Sequence, residues 1–289
     1  MLRPAPEKNA AGPLTRWWRG FVLAPLRRAD EESRDYLASP AGRRADGKVL
    51  TILVAAAVVL TLQRYACMTD ELDHTFALLT RLGLGPLAER GRAYLGDGGE
   101  GYQMRRLTWW AVGCFLTYFG LPALLVRLTF RERLADYGLK LRGAFADWWV
   151  YVVMFAVVGP LVLIASRDPH FQETYPFYRP PPGPPGPDFW RWEALYALQF
   201  LGLEFFFRGF LVHGLKHRFG AYAIPVMTVP YCMLHFFKPL PEALASIPAG
   251  LALGFMSLRT RSVALGWLIH VTVAVSMDLA SLWRQGFFG

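Results

Sequence analysis

Seven long apolar runs set the limits on what this chain can become. They fall at about 49–66, 107–127, 148–165, 192–213, 221–237, 242–258 and 262–282. A helix rises 1.5 Å per residue, so roughly 20 apolar residues cover the hydrocarbon core of a bilayer. The first run is the weakest, because its cleanly apolar part, 49–62, is short; tilting, or extension through Tyr65 at the interface, would let it span. With 54% hydrophobic residues in a chain of 289, the expected fold is all-α: a polytopic transmembrane helical bundle of about seven or eight spans.

Charge between the runs sets their direction. Arg27, Arg28, Arg34, Arg43, Arg44 and Lys48 precede the first run, and Arg127, Arg131, Arg133, Lys140 and Arg142 follow the second. Lys216 and Arg218 follow the fourth, Arg259 and Arg261 the sixth. The positive-inside rule makes these alternate loops cytoplasmic, with a cytoplasmic N-terminus and an external C-terminus. In the external loop 67–106, Asp70, Glu71, Asp73, Glu89, Asp97 and Glu100 roughly balance the arginines. The net charge of +9 thus records topology, and no nucleic-acid partner is expected. Residues 1–13 are polar and rich in Pro and Ala, with no apolar core directly after them, so no cleavable signal peptide is expected. Residues 14–26 mix Trp17, Trp18 and Phe21 with Arg16 and Arg19, the pattern of a short amphipathic helix on the membrane surface or of a basic tail with interfacial tryptophans. Arginine outnumbers lysine, and Ala and Gly are common, a composition associated with bacteria; the expected location is a bacterial inner (plasma) membrane. Cys67, Cys114 and Cys232 form no CxxC pair, which argues against a disulfide framework or a cysteine zinc site.

The chain divides into a cytoplasmic N-terminal segment, 1–48; N-terminal spans with an external loop and a Pro-rich linker, 49–191; and a C-terminal core, 192–282. The linker at 175–188 contains PFYRPPPGPPGPD, which cannot continue a helix because proline lacks an amide hydrogen and clashes with the preceding turn. It reads as a stiff spacer. No internal repeat is found, against the repeated architecture common in transporters.

The core holds the costly residues. Even low estimates put a charge at the bilayer centre at about 2.5–3.5 kcal/mol, so ionisable groups there generally face a protein interior and do something. LEFFFRGF places Glu204 and Arg208 four apart on one helical face. PYCMLHFFKP carries His235 near the outer end of its run, where Pro225 and Pro230 would bend the helix and aim it inward. GWLIHVTVAVSMD sets His270 well inside its run, with Ala274 one turn on and Asp278 expected as an interfacial charge at the helix end. Ser246, Gly250 and Gly254 recur at four-residue intervals, a packing stripe. His213 and His217 have metal-ligand spacing, but beside Lys216 and Arg218 they read as a solvated, positively charged helix end.

Taken together, a Glu-x-x-x-Arg-Gly helix, an aromatic-x-x-x-His helix, a small-residue helix ending in LRTRS and a helix with a central His resemble the CAAX protease and bacteriocin-processing (CPBP or Abi) family of intramembrane proteases, which includes the type II CAAX prenyl protease. FRERLADYGLKLRG at 130–143 also looks like the cytoplasmic stretch that precedes the family's core. The resemblance implies an endopeptidase hydrolysing a peptide bond near the end of a membrane-embedded or lipid-anchored protein, with Glu204, Arg208, His235 and His270 as catalytic residues. Glu204 would be the general base, His235 would share in activating water, and His270 would donate to the oxyanion. Either no cofactor is needed, as in a glutamate-type protease, or Glu204, His235 and His270 bind zinc. Two positions depart from the family's pattern. Its first motif usually begins Glu-Glu, and the first, catalytic position here is Leu203; its third motif usually has Asn where this chain has Ala274. These departures keep open a catalytically inactive scaffold that binds a partner helix, and the intramembrane Glu and His also leave room for a small proton-coupled transporter.

Overall fold

The computed structural model describes residues 12–96, 98–99 and 101–288. Residues 1–11 of the N-terminal segment, and Asp97 and Glu100 of the acidic loop, lie outside the described residues. Among the described residues every regular element is a helix, as an apolar chain that must pair its own amides in lipid requires.

The N-terminal basic segment is helical: α1 (Pro13–Trp18) passes through a π turn, Arg19–Leu23, into α2 (Ala24–Ala38). Phe21 anchors it by stacking on Trp17 and packing against Trp149 and Phe255. α3 (Gly47–Leu62) begins where the Asp46 side chain accepts from the Val49 amide. It extends to Cys67 through a π turn, which lengthens the short first run. The loop beyond it contains two helices, α4 (Leu72–Arg81) and α5 (Gly85–Leu95), joined by their own small core of Leu72, Phe76, Ala88 and Leu95. α6 (Tyr102–Phe115) and the short α7 (Leu121–Leu124), each followed by a π turn, form one span to Thr129. α8 (Trp148–Ala165) is apolar on all sides and leaves Val152, Val153, Val157 and Leu161 exposed, which suits a helix facing lipid. α9 (Pro169–Thr174) precedes the Pro-rich linker.

α10 (Pro187–Glu204), the π segment Phe205–Leu211, α11 (Val212–Phe219) and α12 (Ala223–Met233) form the buried centre, which α13 (Leu240–Thr260) and α14 (Ala264–Arg284) complete. Phe189, Trp192, Phe205, Phe206, Phe207 and Phe210 are fully buried. Six helical segments of the described chain are long and apolar enough to cross a membrane. One of them, Pro187–Met233, contains the fourth run and most of the fifth. The chain reverses within it at Gly220 (φ 55°, ψ −133°), a conformation open to glycine. A Cβ there would also stand 2.4 Å from Asp30 Oδ1, which accepts from the Ala221 amide at 2.8 Å. The fifth run is therefore shorter than expected: α12 has 11 residues, about 17 Å of rise, and His235 lies in the turn just past its end.

α12 and α13 pack through the small-residue stripe. An added Cβ at Gly250 would meet Thr228 and Tyr231 at 2.9–3.2 Å, and one at Gly254 would meet Ile224 and Met227 at 2.9 Å. The Pro-rich linker lies against the bundle: Tyr175 is buried and its hydroxyl donates to the Glu242 carboxylate at 2.8 Å, while Phe177 packs edge-on against Trp110, Trp192 and Tyr196.

Candidate active site

Helical spacing brings three elements to one point. Phe200 and Glu204 lie four apart on the face of α10 that meets α14, and Gly266 and His270 lie four apart on the face of α14 that meets α10. The His270 ring stacks on Phe200 with centroids 4.8 Å apart, and its Nδ1 is 2.8 Å from Glu204 Oε1. Gly266 makes this approach possible, since a Cβ on it would be 2.6 Å from Glu204 Oε2. Trp267 locks the pair of helices by donating Nε1–H to the Ala197 carbonyl at 2.8 Å.

Arg208 follows Glu204 by one turn, and its Nη1 is 3.1 Å from Glu204 Oε1; both side chains are 0% exposed. The approach is off-line, so among the described residues none of the three guanidinium nitrogens has an aligned hydrogen-bond acceptor, and Glu204 Oε2 has no donor. The guanidinium instead lies over the Tyr231 ring, its Cζ 3.9 Å from the centroid, a cation–π contact strengthened by desolvation. Arg208 sits in the π segment, where i→i+5 pairing departs from the α-helical ladder, and its carbonyl accepts from Ser257 Oγ at 3.1 Å.

Tyr231 is the residue that sequence reasoning passed over. Its hydroxyl is 3.2 Å from His270 Nε2. With the His270 proton on Nδ1 and directed to Glu204, Nε2 accepts from Tyr231 and both ring nitrogens of a neutral imidazole are satisfied. Tyr231 also lies beside His235, with ring centroids 4.9 Å apart, and its carbonyl accepts from His235 Nδ1 at 3.0 Å. The signal was present, because Tyr231 is the aromatic residue four positions before His235. The structure thus joins Glu204, Arg208 and His270 directly and brings His235 in through Tyr231.

This arrangement does not fit a shared metal. Glu204 Oε1 and His270 Nδ1 face each other, His270 Nε2 faces Tyr231 and His235 Nδ1 faces a backbone carbonyl. Among the described residues no three His, Cys, Asp or Glu side chains converge as ligands.

Two sequence expectations are corrected by packing. Asp278 is 0% exposed and lies six residues before the end of α14 at Arg284; it faces Glu193 on α10 across the bundle. Among the described residues neither carboxyl has a hydrogen-bond partner. His213 and His217 are not a solvated helix end. His213 is buried, with Nε2 3.1 Å from Ser257 Oγ, and His217 Nε2 is 2.8 Å from Asp46 Oδ2, because α2, α3 and α13 close around α11.

No curated protein and no solved structure matches the chain. Six helical segments long and apolar enough to cross a membrane make the chain an integral membrane protein, and the motifs carrying Glu204, Arg208, His235 and His270 all fall within residues 185–276, the segment that matches the family model described as Type II CAAX prenyl endopeptidase Rce1-like and through which the chain resembles the CAAX protease family.

Proposed function

We propose that this chain is an intramembrane endopeptidase that cleaves a peptide bond near the end of a membrane-embedded or lipid-anchored protein. The observation that carries the reading is the state of Glu204: Oε1 is held by Arg208 and His270, and Oε2 is buried without a donor. A buried acceptor without a partner calls for an explanation, and a water bound for deprotonation supplies one.

Peptide hydrolysis needs a base, an oxyanion stabiliser and an acid for the departing amine. Glu204 Oε2 takes a proton from water as the water oxygen attacks the carbonyl carbon, and later gives that proton to the leaving nitrogen. His235, with Nδ1–H committed to the Tyr231 carbonyl, has Nε2 available as a second acceptor for the same water. The oxyanion falls to Arg208, whose N–H groups have no other acceptor; preorganised donors in a water-poor site are effective at this step. His270, with both nitrogens engaged, orients Glu204. Substrate approaches from the side where His235 and His270 remain partly exposed. The same reading puts the basic loops in the cytoplasm of a bacterial cell, with the N-terminus on that side.

Glu204→Gln keeps size and most hydrogen bonding but removes the base, and general acid–base catalysis contributes about 10²–10⁴-fold. Termini of membrane proteins are compared by mass spectrometry in cells with the protein, without it and with the variant. At an abundance matched to the unaltered protein, the variant is expected to match the deletion; unchanged processing would sink the proposal. A second reading, a partner-binding scaffold of the same fold, draws on Leu203 and Ala274, both buried and apolar. It expects Glu204→Gln to leave both the termini and partner binding as they are.

A further inference from the structure

A separate cavity of about 410 Å³ opens at the basic end of the bundle, between α2, the turn before α8 and the C-terminal end of α13. Four cations line it, Arg28, Lys216, Arg259 and Arg261, against two carboxylates, Glu32 and Asp147. Two of the cations are closely paired and Arg28 only loosely. Lys216 and Arg28 share Glu32 at 2.9 and 3.5 Å, and Arg259 forms a two-pronged pair with Asp147 at 2.8 and 3.2 Å. Burial raises the Glu32 pKa, but Lys216, Arg261 and Arg28 outweigh it and hold the carboxyl below its usual range. Among the described residues Arg261 has no ion pair, and it is held at φ 54°, ψ 33°, a left-handed conformation that a long side chain adopts only where its surroundings impose it. The cavity thus keeps two positive charges in excess.

Its height in the membrane is marked by aromatic residues. Trp17 and Trp18 on α1 and Trp148 and Trp149 at the start of α8 are all substantially exposed, and Phe21 bridges the two groups, packing on Trp17 and Trp149. Exposed tryptophans of a membrane protein gather at headgroup level. Gly20, Ala24 and Gly143 line the cavity with small residues, and α8, whose Val152, Val153 and Val157 are exposed, begins directly after Asp147 of its wall. We infer that this cavity binds the phosphate of an anionic phospholipid, with Arg261 and Arg28 on the headgroup and the acyl chains against α8. Basic pockets between transmembrane helices bind such headgroups by charge and hydrogen bonding, and guanidinium matches phosphate in geometry as well as charge.

The purified full-length protein in detergent is titrated with phosphatidylglycerol, phosphatidylcholine or inorganic phosphate, and bound lipid is counted by native mass spectrometry. One phosphatidylglycerol is expected to stay bound under conditions that strip phosphatidylcholine, and a millimolar excess of inorganic phosphate is expected not to displace it. Arg261→Gly should weaken phosphatidylglycerol about fivefold, the equivalent of ~1 kcal/mol per basic residue at a membrane surface. Glycine suits the left-handed backbone, so its unfolding temperature should not fall. Adding Arg28→Ala should bring the loss to about 25-fold if the two sites add, while Arg261→Lys, which keeps the charge, should retain most of the affinity. Equal retention of the two lipids, or unchanged phosphatidylglycerol affinity in the double variant, overturns the inference. Displacement by inorganic phosphate also overturns it, by giving the cavity to a free anion.

Discussion

Gly266→Ala tests the geometry of the site with a single methyl group. The new Cβ would stand 2.6 Å from Glu204 Oε2, 3.5 Å from its Cδ and 4.0 Å from Leu253 Cδ2. Ordinary contact begins near 3.4 Å, so the carboxylate or α14 must give by about 0.8 Å. Glu204 has little freedom to do so, because Oε1 is tied to His270 at 2.8 Å and to Arg208 at 3.1 Å. Two effects oppose each other in stability. Alanine gains up to ~1 kcal/mol of helix propensity over glycine, and overpacking a full core costs about 1–3 kcal/mol, leaving a net loss of roughly 0–2 kcal/mol. Function has no such compensation, since misplacing a reacting group by about 1 Å can cost 10²-fold in rate. The prediction is a near-normal unfolding temperature with processing reduced about 10²-fold. Unfolding can be followed with a thiol-reactive dye, because Cys67 and Cys114 are buried until the bundle opens, and processing by the yield of cleaved membrane-protein termini. A variant that processes at the normal rate would show that Oε2 is neither pinned where it stands nor needed there.

Removing one member of the buried ion pair should be far more damaging than removing both. Arg208→Met leaves Glu204 uncompensated and should cost about 3–5 kcal/mol, whereas Glu204→Gln with Arg208→Met should recover most of that loss; a double variant as unstable as the sum of the singles would show that the two side chains do not interact. At the basic end, burial raises the pKa of Glu132 but Lys48 and Tyr137 outweigh it, and burial raises that of Asp46 but the Val49 amide, Tyr36 and His217 outweigh it. Both carboxyls are thus held below their ordinary values of 4.5 and 3.8, so the stability they add is complete above those values and is lost as pH falls through the lower folded-state values. The unfolding temperature should drop from about pH 4.5 downward, and Lys48→Met should shrink the drop; a profile flat to about pH 3 would contradict the assignment.

How much of this was legible depended on the range of the interaction. Spans follow from local apolarity, so α3, α8, α13 and α14 lie close to the runs that announced them. The Glu204–Arg208 pair was legible for the same reason, since four residues make one turn. Interactions between distant segments were not. Gly220 looks like any loop glycine until Asp30, far back in the chain, is seen to require it. Asp278 looks like a helix-end charge because nothing nearby in sequence shows that Glu193 lies opposite, and His213 looks solvated because Ser257 lies on another helix. Tyr231 was marked only as the aromatic residue four positions before His235; what that spacing could not show is that its ring and hydroxyl touch Arg208, His235 and His270 at once.

The departure at position 203 takes on a physical sense in this packing. Adjacent helical positions point about 100° apart, and Leu203 belongs to the apolar core that includes Phe205, Phe207 and Tyr231. Position 204 lies one turn from both Phe200 and Arg208, on the face that meets His270 and the cleared space of Gly266. A carboxylate at 204 therefore finds a cation, an imidazole and room, all on one side. In the proposed reaction two tasks must be met: holding the cluster together and taking a proton from water. Where the family's motif supplies two neighbouring glutamates, this chain has one, and its two oxygens are unequal. Oε1 receives both Arg208 and His270, and Oε2 receives nothing. In the proposed reaction that asymmetry would let a single residue hold and react at once, and it would make the space at Gly266, where an added Cβ would stand 2.6 Å from Oε2, a requirement of the chemistry.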